Sequence, residues 1–233
     1  MRSSSGLISL RLPIVFFLAL LVPIAASSQA QNTRTSSTTD AAGLHVNSVP
    51  QTAADYHPIT GKQRLDWFVV TTVGPKSLLA GVFSAAYGTA TNQPKEYGPH
   101  WEGFGKRYGM RLTGVSTSDA MEAGLGAIWG EDPRYFHTVH QSFGGRVKNA
   151  IDLTFRAYGR DGERHPAYAR YVAIAGSNFL SNTWRARSEN DAQDAAIRTL
   201  EGFGTRAASN AFSEFVTLIW NKHRHDSSSS TNP

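Results

Sequence analysis

The chain contains no cysteine. Disulfides, a thiol nucleophile and cysteine-based metal sites are therefore excluded, and so is lipid attachment at an N-terminal cysteine. Recognisable catalytic signatures are missing as well. There is no Gly-x-Ser-x-Gly elbow, no His-Glu-x-x-His and no Gly-Lys-Ser/Thr phosphate loop, and the Pro-Ser-Gly-His stretch of helical lipid phosphatases is absent. Two glycine runs, Gly103-x-Gly105-x-x-x-Gly109 and Gly124-x-Gly126-x-x-x-Gly130, come near the dinucleotide fingerprint. Each has one residue too many, and no clear strand precedes either. No cofactor is implied. No clean apolar run of about 20 residues occurs outside the N-terminus.

Charge of one sign is also scarce. The formal net charge is +5, with 23 basic and 18 acidic residues. The basic side chains are scattered, not striped, which argues against a nucleic-acid partner.

Residues 1–30 have the layout of a secretory signal peptide. Arg2 and Arg11 precede an apolar stretch over 12–25, and Ser28-Gln29-Ala30 offers small residues for cleavage. Residues 31–56 are rich in Ser and Thr without apolar periodicity, and read as a disordered linker. A polar tail over 223–233 reads the same way. The helical domain then spans 57–222, one domain of about 165 residues.

Within it, 62–73 is short and β-branched, open to helix or strand. Residues 77–91 predict a helix with a ridge of Ala80, Ser84 and Gly88. Ser116 to Asp119 suggests a break with Asp119 as N-cap, before a helix over 120–129. Residues 144–158 predict an amphipathic helix. A second ridge, Ala169, Ala173, Ser177 and Ser181, marks a helix over 167–184, and a last helix covers 191–220.

A hexapeptide is used twice: residues 102–107 (Glu-Gly-Phe-Gly-Lys-Arg) return as 201–206 (Glu-Gly-Phe-Gly-Thr-Arg). Each follows a small-residue ridge, which suggests a diverged helical-hairpin duplication. Gly105 with Gly109, and Gly204 with Ala208, are spaced four apart, as close helix contacts require. The expected fold is an all-α bundle of five to seven helices with close small-residue contacts.

Few residues invite chemistry. Glu122 interrupts an apolar helix, so it must face water, pair, or sit protonated. Asp132 and Arg134 concentrate charge at a helix end, with His137 and His140 following. Asp132 and the two histidines lack a clear further metal ligand. Arg107 and Arg206, the charges kept in the repeat, either reach the surface or pair with an acid or a ligand anion. Arg146 and Asn178 are further binding candidates.

Several stretches together resemble a family of exported bacterial proteins: residues 74–77, 94–98, 103–109, 130–136, 143–148 and 181–184. The resemblance covers about 60–220 and implies export and one compact unit. It transfers no catalytic residue.

The leading expectation is an exported envelope protein of structural or binding role. Its partner would be membrane lipid or another envelope component. Lys76, Arg107, Arg111 and Asp152 favour a peripheral bundle over a spanning one. The alternative is a periplasmic hydrolase of envelope lipid or glycan, using Glu122, Asp132, Arg134 and His137. An outer-membrane barrel lacks the alternation it needs.

Overall fold

A computed structural model describes residues 56–138 and 142–229, with side chains through 216. These residues belong to the second of two units into which the chain divides, Asn47–Pro233. The expected leader, nearly all of the expected linker and His140 lie outside the described residues.

Six α-helices, three single-turn 3-10 helices and one small hairpin make up the regular structure of the described residues. The helices are α1 Gly61–Val73, α2 Pro75–Ala90, α3 Trp101–Trp129, α4 Phe143–Phe155, α5 Tyr168–Leu180 and α6 Ala192–Ser229. The hairpin pairs β1 Arg156–Tyr158 antiparallel with β2 Arg164–Pro166. The fold is the all-α bundle expected. α6 carries helical backbone to Ser229, across part of the segment read as a tail.

Local chemistry sets the helix ends. Thr60 caps α1 in a capping box with Gln63. Pro75 opens α2, where its missing N–H costs nothing. Ser142 caps α4, and Asp191 Oδ1 accepts from the Asp194 amide at the start of α6. α3 stops at Gly130, whose φ of 81° is left-handed.

Within this unit the helices form two groups of one design, joined where α5 packs on α3. α1 and α2 lie end to end, antiparallel to α3. Arg64 reaches the Ala123 carbonyl, Thr72 donates to Asp119, and Gly88 faces Arg107. α4 and α5 lie end to end along α6 in the same sense. Arg146 pairs with Glu214, Asn210 donates to Thr154, Gly202 meets Ile174, and Arg198 donates to the Asn178 carbonyl. The loops at the start of each long helix touch, through Ser188 to Glu96 and the Ala186 amide to the Tyr97 hydroxyl.

Several expectations need correction. No break occurs at 116–119: α3 is continuous for 29 residues. Thr117 bonds back to the Thr113 carbonyl, and Asp119 is buried against Thr72 instead of capping. α4 ends at Phe155, because residues 156–158 find a strand partner in 164–166. The first ridge is shifted by one residue. Gly81 and Ala85 are buried, whereas Ser84 is exposed. The second ridge is buried throughout, at Ala169, Ala173, Ser177 and Ser181.

The hexapeptides are not equivalent in the two groups. Glu102 is the second residue of α3, while Glu201 is the tenth of α6. The equivalent arginines are Arg107 and Arg198, each the seventh residue of its long helix. Arg107 donates to the carbonyls of Gln93, Pro94 and Gly98. Arg198 donates to the carbonyls of Glu189 and Asn178. Each holds the loop that feeds its helix. Nor do Gly105, Gly109 and Gly204 permit close helix contact, because a Cβ there would meet nothing within 4 Å. The first glycine of each hexapeptide does so: a Cβ on Gly103 would lie 2.1 Å from the Gly98 carbonyl oxygen, and one on Gly202 2.9 Å from Ile174.

Candidate functional site

The interior of this bundle is polar to an unusual degree. The largest fully buried side chains are Arg170, Phe136, Thr154, Asp132 and Ser181. Among the described residues the buried hydrophobic cluster contains Phe136, Leu153 and Tyr158, with Tyr56 and Tyr135 packed against it. Buried charges must be paired and hydrogen-bonded to be tolerated, and three nodes do this.

The first node centres on Glu122. Its Oε1 accepts from Arg170 Nε at 2.8 Å, and Arg206 donates to both of its oxygens at 3.2 Å. Arg170 also donates to the carbonyls of Leu153, Thr154 and Arg156 at the end of α4. A cation there complements the negative end of the helix. Arg206 donates to the Pro133 carbonyl. Nearby, Glu131 accepts from the Ala169 amide and so caps α5. One node thus ties α3, α4, α5 and α6 together.

The second node is Asp132. Arg134 binds it through Nε and a terminal nitrogen, the latter at 2.6 Å, and donates onward to the His57 carbonyl. The Asp132 amide donates to Tyr158, joining this segment to the hairpin.

The third node is Glu214 on α6. Oε1 accepts from the Tyr135 hydroxyl at 2.8 Å, from the Thr138 amide and from Asn149, and Oε2 accepts from Arg146 at 3.0 Å. His137 Nδ1 stands 3.8 Å from Oε1. Burial alone would raise this carboxyl. The facing His137 ring, the Tyr135 hydroxyl and the Thr138 amide outweigh it and hold Glu214 at about 2. Burial and the Glu214 charge in turn push the Tyr135 phenol well above its ordinary range.

The predicted site residues therefore divide among separate tasks. Glu122 and Arg206 are brought together as an ion pair, Asp132 and Arg134 as another, and His137 and Arg146 meet at Glu214. Arg107 stands apart in the loop before α3. It neither reaches the surface nor pairs with an acid, and its partners are three backbone carbonyls and the Thr89 hydroxyl. Asn178 donates to the Ile174 carbonyl of its own helix. Glu122 and Asp132 do line one gap, with Glu131 and Arg170, but it has no room for a water molecule. An open groove of about 410 Å³ runs along the outside of α4, lined by Gly144, Val147, Lys148, Ile151 and Asp152. Among the described residues no group of three His, Asp or Glu is placed to hold a metal ion.

Sequence reasoning missed Arg170 and Glu214. The signal that selected Glu122, a lone charge in an apolar helix, applies to Arg170 in Tyr168–Leu180 and only locally to Glu214, the one charge between Arg206 and Lys222.

These features define a helical bundle braced by internal ion pairs. Comparison with known proteins finds no family model, no curated protein and no solved structure that matches the chain.

Proposed function

We propose that the chain is an exported protein of the cell envelope that associates with membrane lipid and serves a structural or binding role. The observation that carries this reading is the inverted distribution of polarity. Arg170, Asp132 and Glu214 are at most 2% exposed, while Trp101 is 83%, Ile128 73%, Leu200 72% and Leu65 62% exposed. Burying one such large apolar side chain is worth about 1.5–3 kcal/mol. A bundle that spends its interior on ion pairs and leaves this surface uncovered is suited to an apolar surrounding.

Gly61–Ala90 supports the same reading. By length and composition it is apolar enough to cross a membrane, and the rest of the described chain leaves most of it uncovered. The core helix of a water-soluble domain would be covered. The leader over 1–30 supports export.

The hydrolase alternative finds one favourable observation, the gap that Glu122 and Asp132 share. A general acid or base must reach a substrate proton directly or through one water. Both Glu122 oxygens are held by arginines, and the gap admits no water.

Fractionation of cells expressing the native chain tests the proposal, with a carbonate wash and the mature N-terminus read by mass spectrometry. Mature protein retained in washed membranes is expected. Full release into the wash, or an intact leader, would refute it.

A further inference from the structure

We infer that the bundle stands across the bilayer, with the axes of α1, α2 and α3 along the membrane normal. This deepens the lipid-association reading and rests on it.

The first observation is where the exposed aromatic residues fall. Tyr87 near the end of α2 and Trp101 at the start of α3 lie at one end of the unit. Trp129 at the end of α3 and Tyr168 at the start of α5 lie at the other. All four are about half exposed or more. Between them the exposed large side chains of α1 and α2 are aliphatic or Phe: Val69, Val70, Val73, Leu79, Val82 and Phe83. Tyr and Trp gather at the two faces of a membrane because one part of the ring is apolar and the other is wet. From Trp101 to Trp129, at about 1.5 Å per residue, α3 rises about 42 Å. That matches the roughly 40–45 Å of a bilayer with its interfacial regions.

A second, independent observation is how the hydroxyls are used. Thr71 donates to the Trp67 carbonyl, Thr89 to Ala85, Thr113 to Gly109 and Thr117 to Thr113. Each returns its proton to the preceding turn of its own helix, so that none of them needs a water partner.

The third concerns charge. Of the side chains that argue against a span in the sequence, Arg107 is buried on carbonyls and Arg111 donates inward to the Ser77 carbonyl. Asp152 lies on α4, beside the charged hairpin. Lys62, Asp66 and Lys76 are the exposed charges on α1 and α2, and Lys62 and Asp66 fall in the first two turns of α1. Lys76 stands near mid-depth beside Val73, where a charge is costly, and its four-carbon stem covers only part of the distance to the headgroups.

The absence of cysteine makes the test direct, since single cysteines can be labelled without competition. Val73→Cys and Ala120→Cys place a fluorophore at mid-depth on two helices. Lys62→Cys and Ala90→Cys place it near the two ends. The full mature chain is reconstituted in phosphatidylcholine–phosphatidylglycerol vesicles, with helicity checked by circular dichroism and vesicle binding by flotation. Labels at 73 and 120 should be quenched several-fold more by acyl-chain bromines than by aqueous iodide, and those at 62 and 90 the reverse. If the protein floats but all four labels respond alike, or the mid-depth pair meets iodide first, the transverse arrangement is overturned while lipid association stands. If it does not float, both fail. Two mid-depth positions on different helices guard against one variant that misfolds.

Discussion

Glu122 is buried and neutralises Arg170, which is equally buried, and Arg206, whose side chain is partly exposed. Glu122→Gln keeps the shape of the side chain but removes the carboxylate to which both guanidinium groups bond. Breaking a buried pair in this way costs about 3–5 kcal/mol, so unfolding of that variant should begin at markedly lower denaturant. Glu102→Gln, which loses only the exposed pair with Lys106, should unfold like the parent. Glu214 makes a pH-dependent contribution. Its carboxyl sits at about 2 in the folded chain against an ordinary 4.5. A depressed carboxyl stabilises the fold above pH 4.5, and that contribution is lost as pH falls through about 2. The span corresponds to about 3 kcal/mol. Acid unfolding followed by circular dichroism should show it, and Glu214→Gln should flatten the curve between pH 4.5 and 2. At this scale the sequence was legible for Glu122, a charge isolated in an apolar helix. It was not legible for the partners, because Arg170 and Arg206 lie 48 and 84 residues away and nothing local specifies that they converge.

At the scale of elements, the hexapeptides separate a glycine that is required from one that is not. Gly103→Ala would drive a methyl into the Gly98 and Tyr97 carbonyl oxygens, which are backbone and cannot step aside. Gly105→Ala meets open space and gains helix propensity, about 0.5–1 kcal/mol. The melting temperature should fall for the first and rise slightly for the second. The same contrast should hold for Gly202→Ala and Gly204→Ala, muted because Ile174 is a side chain that can yield. The helices were readable from apolar periodicity and the small-residue ridge of α5. The break expected at 116–119 was misread, since Ser, Thr and Asp signal a cap only when their oxygens bond forward to free amides. Here Thr117 bonds backward and Asp119 bonds sideways to α1. The equivalence of the hexapeptides was misread for a related reason. Identity of residues carries no information on which turn of a helix they occupy. Arg107 and Arg198 are matched by their distance from the helix start, and their surrounding sequences differ.

For the whole molecule, composition announced enough apolar content for a core and could not say that so much of it points outward. Helices apolar around much of their circumference have no single face to assign, and the ion pairs that occupy the interior form only once the helices meet. Exposure on that outer surface makes a specific prediction. Phe83→Lys adds a charge where the account places acyl chains, and should reduce vesicle binding about tenfold or more while leaving helicity unchanged, since Phe83 is 58% exposed and supports little of the fold. Lys148→Gln, on the outside of α4, should leave binding unchanged. The central claim is that the outer surface needs an apolar cover. The most direct test is light scattering on the mature chain after chromatography without detergent or lipid, with a parallel sample in vesicles or nanodiscs. Aggregation or loss of the free protein is expected, with one uniform species in lipid. A monodisperse, fully helical monomer in plain buffer at tens of micromolar would contradict it.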